Sequence, residues 1–115
     1  MERVRLQMRS MAKAFRGRDG ALVKALLAEA QFDAELAKEF RQHWTLPRRA
    51  MGVAVIRDAI RGSEVRPDAD PEMVIDLLYA PMYYRLQMST GPLSEAYIDG
   101  IFRLAMAGLD NSRVG

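Results

Sequence analysis

An all-α fold of five to six helices is what the sequence predicts, and three observations carry that prediction. Apolar residues recur at intervals of three and four, no stretch shows the strict alternation of a half-buried strand, and Gly, Pro, Asp and Ser stand between the periodic segments, where helices start and stop. At 115 residues the chain fits one domain (1–115) with a single core. Half of its residues are hydrophobic and 28% are charged, a balance that buries a core and argues against disorder.

The elements follow in order. A first helix over about residues 3 to 16 sets Val4, Met8, Met11 and Phe15 on one face and Arg5, Arg9, Lys13 and Arg16 on another, with Gly17 as its stop. Asp19 is placed to cap a short second helix carrying Leu22, Leu26, Leu27 and Ala30. Asp33 is placed to cap a third carrying Leu36, Phe40 and Trp44, which Pro47 should kink or break. A helix resuming near Arg48 turns Val53, Ile56 and Ile60 inward and ends at Gly62, expected as a left-handed C′ residue. The strongest start is Asp70-Pro71-Glu72, with an N-cap, a first-position proline and an acid facing the helix dipole. That helix runs to about Ser89 with Pro81 inside it, Gly91-Pro92 breaks the chain, and a last helix spans about Ser94 to Leu109.

The last two helices are apolar on two sides. In the fifth, Val74, Leu77, Pro81, Tyr84 and Met88 form one stripe and Ile75, Leu78, Met82 and Leu86 a second beside it. In the sixth, Glu95, Asp99, Arg103 and Asp110 form a thin polar line, and Gly100 and Gly108 permit close approach. A helix apolar on two sides needs cover on two sides, and in so short a chain a second copy supplies it, so a homodimer with a four-helix interface is expected.

Chemistry is easier to exclude than to assign. There is no cysteine, and His43 is the single histidine, so thiolate sites are ruled out and any triad or metal site has one imidazole to draw on. Glu39 and His43 share a helix face, yet the spacing is not that of carboxylate-bridged metal bundles. Caps explain the acidic cluster Asp68, Asp70, Glu72 and Asp76 without calcium. With no phosphate-binding glycine loop and no nucleophile elbow, no enzymatic activity, catalytic residue, metal or cofactor is expected. Residues 1 to 66 hold 14 Lys/Arg against 8 Asp/Glu, and residues 67 to 115 hold 3 against 7, but the formal charge of +2 is small for a chain that binds DNA unaided. No apolar run reaches the roughly 18 residues of a membrane span and no secretory segment opens the chain, which makes a cytoplasmic protein the expectation. Phe15, Phe40, His43, Trp44, Met8, Met11, Met51, Tyr83 and Tyr84 mix apolar bodies with a few polar tips, a composition that suits a pocket lining and suits plain core as well.

Taken together, Ala25-Leu26-Leu27-Ala28-Glu29-Ala30 with Asp33, Glu35, Leu36, Ala37, Phe40 and Arg41, then Pro47-Arg48-Arg49, then Ala59-Ile60-Arg61-Gly62 with Glu64-Val65-Arg66, Asp68 and Asp70-Pro71-Glu72, resemble one family. Asp76-Leu77-Leu78, Pro81, Tyr83-Tyr84-Arg85-Leu86, Pro92-Leu93 and Gly108-Leu109 continue the likeness, which is to the C-terminal regulatory domain of TetR-type transcriptional repressors. The resemblance implies a dimer built on the last two helices, through Ile75, Leu78, Met82 and Leu86 and through Ile98, Ile101, Phe102 and Ala105. It implies an effector pocket lined by Phe15, Phe40, His43, Trp44, Met51 and Tyr84. It also makes the basic first helix the connector to a DNA-binding domain, so the chain would begin beyond the family's helix-turn-helix as a fragment or a natural truncation, and operator DNA would be reached only through that domain. The implied function is small-molecule sensing and dimerisation in a repressor; the alternative is a ligand-free helical dimerisation or adaptor module. An apolar or aromatic effector is expected, because the predicted inward faces lack charge. Arg85 is the one residue placed to contradict that.

Overall fold

The structure, a computed structural model, describes residues 1–111. Among them six α-helices follow in order: α1 (Glu2–Arg16), α2 (Arg18–Ala30), α3 (Ala34–Phe40), α4 (Leu46–Arg61), α5 (Pro71–Met88) and α6 (Glu95–Leu109). A π-helical turn, Arg41–Thr45, joins α3 to α4. Among the described residues the β pairing consists of one isolated bridge between Val65 and Asp110, so the fold is all-α.

The helix α1 runs through the middle of the domain. Val4, Met8, Met11, Ala12 and Phe15 recur at three and four and are all buried, and α1 packs against α2, α4, α5 and α6. Each fully buried side chain of the size of Met8 or Val4 contributes about 1.5–3 kcal/mol relative to exposure. The helix α2 turns back on α1 through Gly20, where a Cβ would fall onto the backbone of Phe15, so any larger residue would push the two helices apart.

Three caps lie where the sequence puts them: Asp33 accepts from Leu36 N at 3.1 Å, Asp70 from Glu72 N at 3.0 Å and Ser94 from Tyr97 N at 3.1 Å. Others differ. Gly17 is the N-cap of α2, which leaves Asp19 in the first turn, complementing the helix dipole instead of capping. Gly62 ends α4 at φ −83°, and it is Ser63, at φ 63°, that takes the left-handed conformation. Ser63 N then donates to Ile60 O at 3.1 Å and Glu64 N to Ala59 O at 2.9 Å, the Schellman pattern displaced by one residue from the expectation. Pro47 does not break the chain of helices. In an ordinary α-helix its ring would meet the carbonyl of His43; here the preceding turn widens, Leu46 N donates to Arg41 O, and the helical path continues into α4.

The domain measures 46 × 29 × 18 Å. Its smallest dimension holds about two helix diameters of ~10 Å. On α5 the covered stripe is Val74, Ile75, Leu78, Tyr79 and Met82, while Met73, Leu77, Tyr84 and Met88 face outward. On α6, Ile98, Ala105 and Leu109 face inward, and Leu104 stands 79% exposed. Apart from the backbone of α6 itself and the adjoining residues, no atom lies within 4 Å of where a Cβ of Gly100 or Gly108 would sit.

This corrects the interface read from sequence. Ile75, Leu78, Met82 and Ile98 are fully buried inside the chain and have no surface to offer a partner, and Ala105 lies with them in the core. Leu86, Ile101 and Phe102 pack half-buried against that core. The two stripes of α5 are comparably apolar and adjacent on the helix, so composition alone could not tell which one the other helices cover. Of the polar line of α6, Glu95, Arg103 and Asp110 are exposed, whereas Asp99 is partly covered by α1. Asp99 accepts from Arg5 Nη1 and from Arg9 Nε, each at 3.0 Å, and Arg9 lies 3.6 Å from Glu95.

Candidate ligand-binding site

The site is built around Trp44, which the wide turn before α4 projects between α1 and α5. Its ring stacks with Phe40 at a centroid distance of 5.9 Å and with Phe15 at 6.1 Å. Phe15 in turn meets Tyr83 edge-on at 5.3 Å. The indole Nε1 donates to Tyr83 Oη at 2.8 Å, and the Arg48 guanidinium lies 3.4 Å over the indole ring. Arg48 also donates to the Trp44 carbonyl at 3.1 Å, one turn earlier on the same helical path.

Trp44 separates two open grooves. The larger, of about 710 Å³, runs between α1 and α4 and is lined by Arg3, Leu6, Gln7, Ser10, Met11, Ala14, Trp44, Pro47, Arg48, Met51 and Val55. The smaller, of about 430 Å³, runs between α2 and the α3 segment and is lined by Asp19, Leu22, Val23, Leu26, Leu36, Glu39, Phe40, His43 and Trp44. The first carries arginines at its edge and the second carries carboxylates, so the indole divides regions of opposite charge over one aromatic wall.

Behind the first groove a polar node ties three helices together. Tyr79 of α5 donates to Gln7 Oε1 of α1, and Gln7 Nε2 donates to the Arg48 carbonyl of α4 at 3.3 Å. The node exists because residue 52 is glycine: a Cβ there would lie 2.6 Å from the Tyr79 hydroxyl and 2.5 Å from Ile75 Cδ1. Burial pushes the Tyr79 hydroxyl up to about 12, with Tyr83 nearby adding to the shift, and burial raises Tyr83 as well. Both hydroxyls therefore stay neutral throughout the physiological range, Tyr79 as donor to Gln7 and Tyr83 as acceptor from Trp44.

The six residues proposed for the pocket are therefore distributed unevenly. Trp44 and Met51 line the larger groove, and Phe40, His43 and Trp44 line the smaller. Phe15 is buried and supports the aromatic wall from behind. His43 sits at the rim, its side chain 76% exposed and 3.1 Å from Glu39. Tyr84 does not belong: it lies on the outward face of α5, 55% exposed, and its neighbour Tyr83 takes the place by Trp44. Arg85 is also elsewhere, stacked on Tyr97 at 3.4 Å and donating to Pro92 O at 2.8 Å. Gln7, Arg48 and Tyr79 escaped the sequence reading. The spacing of Trp44 to Arg48 and of Tyr79 to Tyr83, one helical turn each, was the available signal.

Comparison with known proteins gives the chain's family. Residues 2–105 match the family described as tetracyclin repressor-like, C-terminal domain. The chain is 30% identical over 100 residues to the uncharacterized HTH-type transcriptional regulator YdeS of Bacillus subtilis (strain 168), a match covering 87% of this chain and 50% of that protein. It is similar to the crystal structure of the TetR family transcription regulator SCO0332, with a TM-score of 0.84 and 29% identity over 89% of this chain and 57% of that one. The chain thus spans about half the length of the relatives it matches. With an all-helical fold and a family match over nearly its whole length, the chain belongs to the TetR-type C-terminal domains of transcriptional regulators.

Proposed function

We propose that this domain senses a small molecule and dimerises on behalf of a TetR-type repressor. The observation that carries the reading is the groove of about 710 Å³ between α1 and α4, a size within the usual range for ligand sites. A packed interior with no such groove would have favoured a ligand-free adaptor. An occupant between α1 and α4 would press on α1, and α1 is tied to α6 through Asp99 and to α4 and α5 through Gln7. Ligand binding is then coupled to the position of α1 by differential contacts in two arrangements of that helix. The helix-turn-helix that reads operator DNA belongs, in this reading, to the additional length of the relatives.

The outward faces of α5 and α6 support dimerisation by a second copy of this chain. Met73, Leu77, Tyr84, Met88 and Leu104 form an uncovered apolar surface, and Gly100 and Gly108 leave room for a helix backbone to approach. The basic face of α1 plays a smaller part in DNA proximity than its charge suggests, since Arg5 and Arg9 are engaged by Asp99 and Arg16 by the Leu93 carbonyl.

Native mass spectrometry of the freshly purified chain tests both halves. A dimer carrying a stoichiometric small-molecule adduct is the expected result. A monomer at tens of micromolar in sedimentation equilibrium would contradict the dimer, and a dimer without adduct that binds no compound would favour the adaptor.

A further inference from the structure

We infer that the groove between α1 and α4 takes an anionic amphiphile, an apolar body ending in a single carboxylate or comparable acid, drawn by the positive charge of the two lining arginines, Arg3 and Arg48. The inference rests on the sensing reading and adds the class of ligand. Leu6, Met11, Ala14, Met51 and Val55 give the groove an apolar wall closed at one end by the Trp44 indole. No Asp or Glu is among the residues that line it, and two of its lining residues are arginines.

What sets these two arginines apart is their place in the groove lining, free of a carboxylate. Arg5, Arg9, Arg49, Arg61 and Arg66 each lie against a carboxylate of this chain. Arg48 has none among the described residues; it is oriented by the Trp44 ring and by one hydrogen bond to the Trp44 carbonyl, which leaves most of its five N–H groups to other acceptors. Arg3 has no hydrogen bond or ion pair among the described residues. Two uncompensated guanidiniums beside an apolar wall repel a cation, gain nothing from a neutral ligand, and offer charge-assisted hydrogen bonds to an acid. The smaller groove, bordered by Asp19 and Glu39, has the opposite preference, so Trp44 stands between an anion-selecting and an anion-rejecting surface. The expectation of a wholly apolar ligand is thereby changed at one end of the molecule.

The test titrates the chain with decanoate, decanol and decyltrimethylammonium below their micelle ranges, reading the emission of Trp44, the single tryptophan. Decanoate is expected to bind about ten-fold tighter than decanol, the effect of one charge-assisted contact. Arg3→Gln and Arg48→Gln are each expected to remove most of that roughly ten-fold ratio, and Glu39→Gln, in the other groove, to leave the ratio unchanged. Arg3→Gln disturbs no contact of the fold, so it keeps the test decisive even if Arg48→Gln loosens Trp44. Equal affinity for decanoate and decanol would overturn the inference and leave the sensing reading standing. Tightest binding of the cation would overturn it in favour of the smaller groove. No response to any probe would overturn it too, and with an adduct-free mass spectrum would remove the sensing reading as well.

Discussion

Trp44 donates its indole N–H to the Tyr83 hydroxyl across 2.8 Å, and that one bond fastens the wide turn before α4 to the middle of α5. Removing the acceptor leaves a half-buried donor without its partner. Tyr83→Phe is therefore expected to cost about 1 kcal/mol, read as a lower urea midpoint with an unchanged slope, and to shift the native Trp44 emission. Unaltered emission would show that the indole is held by stacking alone.

Gly52 makes room for the node of Tyr79, Gln7 and the Arg48 carbonyl. Gly52→Ala puts a methyl into space held by the Tyr79 hydroxyl and Ile75, and overpacking of this kind costs about 1–3 kcal/mol despite the better helix propensity of alanine. The pair Gly52→Ala with Tyr79→Phe should recover part of the loss, because the hydroxyl oxygen is one of the two colliding atoms. A thermal melt of the single and double variants decides it.

The two apolar stripes of α5 should separate cleanly by experiment. Ile75→Ala, in the core, is expected to lose about 2–5 kcal/mol of stability without weakening association directly. Leu77→Glu together with Leu104→Glu, on the outward faces, should leave the protomer folded and give a monomer in sedimentation equilibrium. The reverse pattern would mean that the covered and uncovered faces of α5 have been exchanged.

Asp99 joins α1 to α6 and gives the domain an acid limb. Its hydrogen bonds to Arg9 and Arg5 hold its carboxyl at about 2, below the usual 3.8. A depressed carboxylate contributes stability that is fully present above its unfolded value and is lost as pH falls through the folded one. The melting temperature should thus fall between about pH 4 and pH 2, and Asp99→Asn should lower it at neutral pH while flattening that part of the profile. An identical acid slope in the variant would assign the limb to other groups.

Much of this architecture was legible because helix boundaries are written locally. Asp33, Asp70 and Ser94 cap where their short side chains and following residues place them, and α1 announces its buried face through Val4, Met8, Met11 and Phe15. What could not be read was any choice between two chemically equal options. Ile75 and Leu77 are comparably apolar, and only the placement of the helices packed on α5, α4 and α1 among them, makes one core and the other surface. Tyr83 and Tyr84 are the same residue on faces roughly 100° apart; the Trp44 indole selects the first. Pro47 signalled a break, but the backbone resolved it with a π turn, a local solution that residue patterns do not encode. The distance from Asp99 to Arg9 in sequence hid their pairing, which is why the charges of both helices looked available to solvent.

The methionines allow the central claim to be tested in one measurement. Methyl-labelled NMR of the eight methionines distinguishes Met11 and Met51 in the α1–α4 groove, Met73 and Met88 on the outward face of α5, and Met8 and Met82 in the core. A titration with decanoate is predicted to move Met11 and Met51 first, while dilution of the free chain moves Met73 and Met88 and leaves the core pair in place. Ligand-induced shifts confined to Met73 and Met88, with Met11 and Met51 unmoved, would contradict the account.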